Sequence, residues 1–142
     1  MERGGNLELI QFKILNTAIE RILNKEMSDI GLTYTQATVI GYLKRNMNKE
    51  ICQKDIEYNL GLTHPTVSSI LSRMEESGMI YTEPLPADHR YKKINPTEKA
   101  INCSECIHEK IEKIRKQMFE GISSEQEEIL NAAIKKMTQN IS

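Results

Sequence analysis

The sequence predicts a mainly α fold interrupted by one small β-hairpin. Three observations carry that prediction. Apolar residues recur at intervals of three and four along most of the 142-residue chain, the spacing of one helix face. Between Met79 and Ile94 the pattern shortens toward alternation and two prolines appear, as in paired strands joined by a stiff loop. Gly61 and Gly78 set off a short helix between them, just ahead of that change.

The first helix is expected from Leu7 to about Met27, with Leu7, Ile10, Ile14, Ala18 and Ile22 in one stripe and Leu15, Ile19 and Leu23 beside it. Gly31 breaks the run. Thr33 and Gln36 have the form of a capping box, in which each side chain satisfies a backbone N–H of the other. The second helix then presents Ala37, Ile40 and Leu43 and ends near Asn46. A short third helix from about Gln53 to Asn59 buries Ile56 and Leu60, and Gly61 supplies the left-handed residue that closes a helix. Thr63 is placed to cap a fourth helix with Pro65 in its first turn, and Val67, Ile70, Leu71 and Met74 form its apolar face. Strands are expected at Met79–Thr82 and Tyr91–Ile94, joined by an extended loop from Glu83 to Arg90. Pro96 and Thr97 restart a long helix whose stripe is Ala100, Cys103, Ile107, Ile111, Ile114 and Met118. Gly121 ends it. Ser123 and Gln126 form a second capping box before a last helix with Ile129 or Leu130, Ala133, Ile134 and Met137 on one face.

Two short helices joined by a tight glycine turn, followed by a hairpin, make a winged helix-turn-helix. The chain is expected to be one domain, 1–142. Within it, 33–95 is the winged module, and 7–30 and 96–142 are dimerisation helices. An isoleucine-rich stripe from Pro96 to Phe119 exceeds what one small module can bury, and an exposed patch of that kind drives association.

The fourth helix has the division of labour that recognition of double-stranded DNA requires. One face packs on the scaffold, and the other approaches base edges in a groove roughly 12 Å wide. Opposite the apolar set lie Thr66, Ser69 and Arg73, with Pro65, Ser68 and Ser72 on the flanks. Serine and threonine are poor helix formers, and a helix face kept only for solubility more often carries Glu–Lys pairs. His64, in the first turn, suits a phosphate or base contact or else a capping role. The loop that follows adds cations at Arg90, Lys92 and Lys93, a projecting tip suited to phosphates or to the electronegative minor groove.

At this point the chain resembles the MarR family of bacterial regulators. The matching residues are Leu32-Thr33-x-x-Gln36, Gln53-x-x-Ile56 through Leu60-Gly61-Leu62-Thr63, Thr66-Val67-Ser68, Met74-Glu75-x-x-Gly78-Met79-Ile80, Asp88-x-Arg90 and Thr97-Glu98-Lys99. The resemblance implies a homodimer reading an inverted-repeat operator. Thr63, His64, Pro65, Thr66, Ser68, Ser69, Ser72 and Arg73 would lie at the bases, and Arg90 and Lys92 at the minor groove or backbone. Asp88 would set the wing. It further implies repression as the expected action and release by a small-molecule effector, with Met27, Tyr34 and Tyr42 lining the effector pocket or, alternatively, serving as ordinary core. The chain departs from the family at Pro96 and Ala100, where Leu and Gly are usual, and at Glu83 and Leu85, where arginines often occur.

Several classes are disfavoured. No GxSxG, phosphate-binding glycine loop or HExxH is present, Gly4-Gly5 being a lone pair, so no enzyme and no cofactor are expected. No run is apolar enough to span a membrane, and Met1–Asn6 lacks a signal layout, so a cytoplasmic location is expected. Net charge is −1, so a DNA-binding face must come from local arrangement. Cys103 and Cys106, with His108 nearby, offer an alternative, a thiol- or metal-responsive switch. Two thiols on one helical turn are only part of a tetrahedral site, however, and packing roles and no bound metal are expected. Cys52, at a helix start, is placed where a thiol pKa can be depressed, but a passive role is expected. A winged helix used for protein contacts alone is a further alternative, against which the hydroxyl-rich face argues.

Overall fold

A computed structural model describes residues 6–142, so the Gly4-Gly5 pair lies outside the described residues. The elements are α1 (Leu9–Ser28), α2 (Tyr34–Arg45), α3 (Gln53–Leu60), α4 (His64–Glu76), β1 (Ile80–Pro84), β2 (Lys92–Pro96), α5 (Glu98–Met118) and α6 (Ser124–Ile141). They fall into two compact units that divide inside α5, one ending at Lys110 and the other comprising Ile111–Ser142.

In the first unit the core is built from the C-terminal end of α1, α2, α3, α4 and the hairpin. Met27, Ala37, Val39, Ile40, Leu43, Ile56, Val67 and Met74 are essentially excluded from solvent, and Met79, Ile80 and Ile94 extend the apolar layer beneath the hairpin. Leu60, expected in the core, is only half-buried. Helices α2 and α3 start where the sequence offers a partner for orphan N–H groups. At α2 the Gln36 N–H donates to Thr33 Oγ1 at 3.1 Å, and the Thr33 N–H donates to Gln36 Oε1 at 3.1 Å, completing the capping box. At α3 the Cys52 N–H donates to Asp55 Oδ2 at 2.8 Å. At α4 the expectation fails in part. Thr63 sits at the cap position, but its hydroxyl donates to Thr66 Oγ1 at 2.8 Å instead of accepting from the backbone. Pro65 in the first turn lacks an N–H, so one fewer donor there needs a cap.

The turn between α3 and α4 depends on Gly61, which adopts φ +63°, ψ +38°. A side chain there would crowd the following carbonyl, so the tight reversal that sets the two helices against each other needs glycine. At the far end of α4, Gly78 has φ +74°. Its carbonyl accepts from Thr97 Oγ1 at 2.6 Å, and the Ser77 carbonyl accepts from Lys99 Nζ at 2.8 Å. The C-terminus of α4, where carbonyls lack helical partners, is thus tied to the start of α5 by a hydroxyl and a cation. Thr97 also accepts from the Ala100 N–H at 3.3 Å, as a cap for α5.

β1 and β2 pair antiparallel, with Ile80 opposite Pro96, Thr82 opposite Ile94 and Pro84 opposite Lys92. Both strands lie one or two residues further along than the alternation suggests, and Pro96 closes β2 instead of opening α5. Its missing N–H costs nothing at a strand terminus of an edge pair. The Ile94 N–H donates to the Ile51 carbonyl at 2.8 Å, which clips the hairpin to the segment before α3.

The apolar stripe of α1 is covered only at its C-terminal end. Leu23 and Met27 are buried, whereas Leu7, Leu9, Ile10, Ile14 and Leu15 are exposed. In the second unit the Ser123–Gln126 capping box starts α6 as expected, with bonds of 2.9 and 3.1 Å. Arg115 pairs with Glu127 and lies 5.1 Å from the Phe119 ring centroid. Ile129, Leu130, Ile134, Met137 and Ile141 of α6 are all exposed.

Candidate nucleic-acid interface

The amphipathic spacing of α4 is realised as two distinct faces. Val67 and Met74 are fully buried and Leu71 nearly so, which fixes the helix rotationally on the core. Thr66, Ser69, Ser72 and Arg73 are exposed, as are Thr63, His64 and Pro65 at the N-terminal end. Ser68 is the exception among the predicted contacts. It is half-buried, and its hydroxyl accepts from Gln53 Nε2 at 2.8 Å. Ser68 therefore serves first to dock α3 on α4.

His64 is also held. Its Nδ1 lies 2.9 Å from Glu57 Oε2 and 3.1 Å from Gln53 Nε2. The ring is mostly solvent-exposed, whereas Glu57 is largely covered. Lys54 and Glu57 were not singled out by sequence reasoning, and Gln53 entered only as a matching residue of the helix-turn. Their signal was available: Gln53 and Glu57 stand four apart on α3, on the side turned toward the start of the next helix.

The hairpin tip is organised by Asp88. The Arg90 N–H donates to Asp88 Oδ1 at 3.1 Å, Arg90 Nε donates to the same oxygen at 3.0 Å, and a terminal guanidinium nitrogen donates to Oδ2 at 2.7 Å. This fork-on-carboxylate arrangement is the geometry that planar guanidinium favours. The Arg90 guanidinium and backbone hold the Asp88 carboxyl below its ordinary pKa, and Asp88 raises that of Arg90. Both groups are at the surface, and Arg90 remains 84% exposed, so the pair orients the arginine while leaving its outer edge open. Lys92 is exposed and Lys93 half-buried, and Lys54 Nζ lies 5.6 Å from the Tyr91 ring centroid.

Two concavities flank α4. One of about 430 Å³ opens between α3, α4 and the hairpin, and Lys54, Glu57, His64, Arg90 and Lys92 contribute to its walls. The other, of about 310 Å³, lies between α1, α2 and α4 and is lined by Glu20, Asn24, Gln36, Ser69 and Arg73. Arg73 thus stands at the edge of a cleft shared with α1.

Met27, Tyr34 and Tyr42 contribute to neither concavity. Met27 is fully buried, the Tyr34 N–H donates to Asn24 Oδ1 at 2.8 Å, and the Tyr42 hydroxyl accepts from Asn59 Nδ2 at 3.0 Å. Burial first, and then Asp55, raises the Tyr42 pKa. The Cys52 thiol is not activated by its place at a helix start. Burial chiefly, with Asp55 and Glu50 adding negative charge, pushes its pKa up. Cys103 and Cys106 are free, half-buried thiols, and among the described residues no group of three or more His, Cys, Asp or Glu could hold a metal ion. No helix among them is long and apolar enough to cross a membrane.

A helix pair closed by a left-handed glycine, a second helix with a polar outer face, and a hairpin with a cationic tip define a winged helix-turn-helix protein. The MarR family model matches residues 30–90, which span α2 through the hairpin tip. The chain is similar over nearly its whole length to the transcription regulator MarR from Oenococcus oeni PSU-1, with 29% identity, 91% of this chain and 96% of that one covered, and a TM-score of 0.77. It shares its fold with MepR of S. aureus in a DNA complex (23% identity, 93% and 94% coverage, TM-score 0.84). The same holds for a putative MarR family transcriptional regulator from Listeria monocytogenes complexed with 26mer DNA (22%, 96% and 89%, 0.88). The family match thus covers the winged module of this chain, and the solved structures share its fold.

Proposed function

We propose that this protein is a homodimeric transcription regulator that binds double-stranded DNA at an inverted repeat. The carrying observation is the outer face of α4. Thr66, Ser69, Ser72 and Arg73 are exposed on a helix whose opposite face is locked in the core. Short hydroxyl side chains let the helix backbone approach base edges closely, and Arg73 supplies a cation at the same surface. The Arg90 tip, with Lys92 behind it, supplies charge for the neighbouring minor groove or phosphates. The DNA complexes of the Listeria and S. aureus proteins, which have the same fold, support this assignment.

Dimerisation is supported by apolar surface that each unit leaves uncovered. In the first unit Ile10 and Ile14 are exposed on α1, and in the second Leu130, Ile134, Met137 and Ile141 are exposed along α6. Isolated exposed leucines are common, but a row at helical spacing marks an association face. A two-fold dimer presents two copies of α4, and the DNA it reads carries the same symmetry. We assign repression as the mode of action, a small-molecule effector as the releasing signal, the cytoplasm as the location, and no catalytic activity.

Selection of bound duplexes from a random library tests the reading. Enrichment of an inverted repeat with half-sites roughly one helical turn apart, 10–10.5 bp, is expected. Failure to enrich any sequence would refute it.

A further inference from the structure

We infer that Glu57 is a positioning residue that fixes the tautomer of His64 and thereby the kind of base this histidine accepts. The inference rests on the assignment of α4 as the DNA-reading helix. It starts from a hydrogen-bond conflict at one nitrogen. Both Glu57 Oε2, at 2.9 Å, and Gln53 Nε2, at 3.1 Å, approach His64 Nδ1. A carboxylate only accepts, so Nδ1 facing Glu57 must carry a hydrogen; a bare lone pair there would meet another at bonding distance. Gln53 does not need Nδ1 as an acceptor. Its amide nitrogen has two hydrogens, and Ser68 Oγ at 2.8 Å and the His64 carbonyl at 3.4 Å are within reach of both. The network is satisfied in one way, with Nδ1–H donating to Glu57.

The consequence lies at the other side of the ring. With the hydrogen on Nδ1, the neutral imidazole keeps a lone pair on Nε2 and is an acceptor there. The His64 side chain is 71% exposed, while that of Glu57 is 20% exposed, so the ring is anchored at its inner edge and open at its outer one. His64 is also the first residue of α4, and the N-terminal residues of a recognition helix are those that meet base edges. In the major groove the donors are the exocyclic amino groups of adenine and cytosine, while guanine presents only acceptors there. Glu57 therefore biases His64 toward adenine N6 or cytosine N4 and against guanine. Without Glu57, the ring is free to place its hydrogen on Nε2 and to donate to guanine N7 or O6.

Two readouts on the full chain test this. Long-range ¹H–¹⁵N spectra of histidine-labelled protein at pH 8.5, with His64→Ala to assign the signal, report the tautomer directly. The expected result is a protonated Nδ1 in the wild type, retained in Glu57→Gln, whose amide oxygen still accepts, and lost in Glu57→Ala. Duplex selection with the same proteins reads the consequence. Wild type and Glu57→Gln favour an amino-bearing base at one position of each half-site. His64→Ala and Glu57→Ala relax that preference by roughly three- to tenfold, the range for one hydrogen bond. A wild-type signal with the hydrogen on Nε2, or an unchanged base preference in Glu57→Ala, overturns the inference while leaving the DNA-binding assignment intact. Absence of any enriched sequence with the wild type overturns that assignment instead.

Discussion

Replacing Arg90 by alanine separates a backbone-contacting wing from a decorative one. Arg90 projects from the tip with its guanidinium steered by Asp88 and its outer edge in solvent. If that edge neutralises one phosphate, each protomer contributes a slope of about −0.9 to log affinity against log salt. A dimer carries two tips, so Arg90→Ala should flatten the plot by about 1.8. Over a rise from about 50 to about 200 mM salt, the gap between wild type and variant should close by roughly twelvefold. Fluorescence anisotropy on a selected duplex across that range measures it. Arg90→Lys keeps the charge and should keep the slope while losing the forked pairing with Asp88. Parallel plots for wild type and Arg90→Ala, offset or not, would refute the reasoning, since an arginine that releases no counterion is not on the backbone.

Other consequences follow from the same geometry. Gly61→Ala forces a side chain into φ +63° and should destabilise the fold by about 1–2 kcal/mol, read as a lower denaturant midpoint at unchanged slope. An unshifted midpoint would mean that the turn relaxes. The raised pKa of Cys52 means that folding favours the neutral thiol. Its contribution to stability is present below the unfolded-state thiol pKa and is lost as pH rises through the higher folded value. Cys52 should therefore alkylate more slowly than a free thiol at pH 8, with mass spectrometry distinguishing it from Cys103 and Cys106; equal or faster reaction would contradict the burial and charge effects. Ile134→Asp places a charge in the exposed row on α6 and should yield monomer by analytical ultracentrifugation, with the thermal melt of the winged module retained. A dimer of unchanged affinity would move the interface elsewhere.

Local signals in the sequence translated into structure wherever one residue type has one physical use. The Thr33–Gln36 and Ser123–Gln126 boxes and the Gly61 turn form as their residues demand. The faces of α2 and α4 were legible from spacing, since helical geometry alone decides which positions meet the core. What remained hidden depends on neighbours distant in the chain. Thr63 looks like an ordinary cap, but its hydroxyl is taken by Thr66. Cys52 stands where a helix start can activate a thiol, yet burial, with Asp55 and Glu50 adding negative charge, opposes its ionisation. Ser68 looks free for DNA, yet it is bound by Gln53 across fifteen positions of sequence. Glu57 stands one turn after Gln53 on α3, but its pairing with His64 joins two helices and cannot be read from spacing alone. The strand boundaries slipped because proline at a strand end resembles proline at a helix start, and only the pairing of Ile80 with Pro96 separates the two.

The central claim is that α4 enters a major groove while the Arg90 tip reaches the adjacent minor groove. Dimethyl sulfate footprinting of a selected duplex tests it directly, because the reagent reports guanine N7 in the major groove and adenine N3 in the minor groove in a single experiment. Two patches of guanine N7 protection are expected about one helical turn apart, 10–10.5 bp, each flanked on its outer side by adenine N3 protection that disappears in Arg90→Ala. Protection confined to the minor groove, or an N7 pattern unchanged in Arg73→Ala together with N3 protection unchanged in Arg90→Ala, would contradict it.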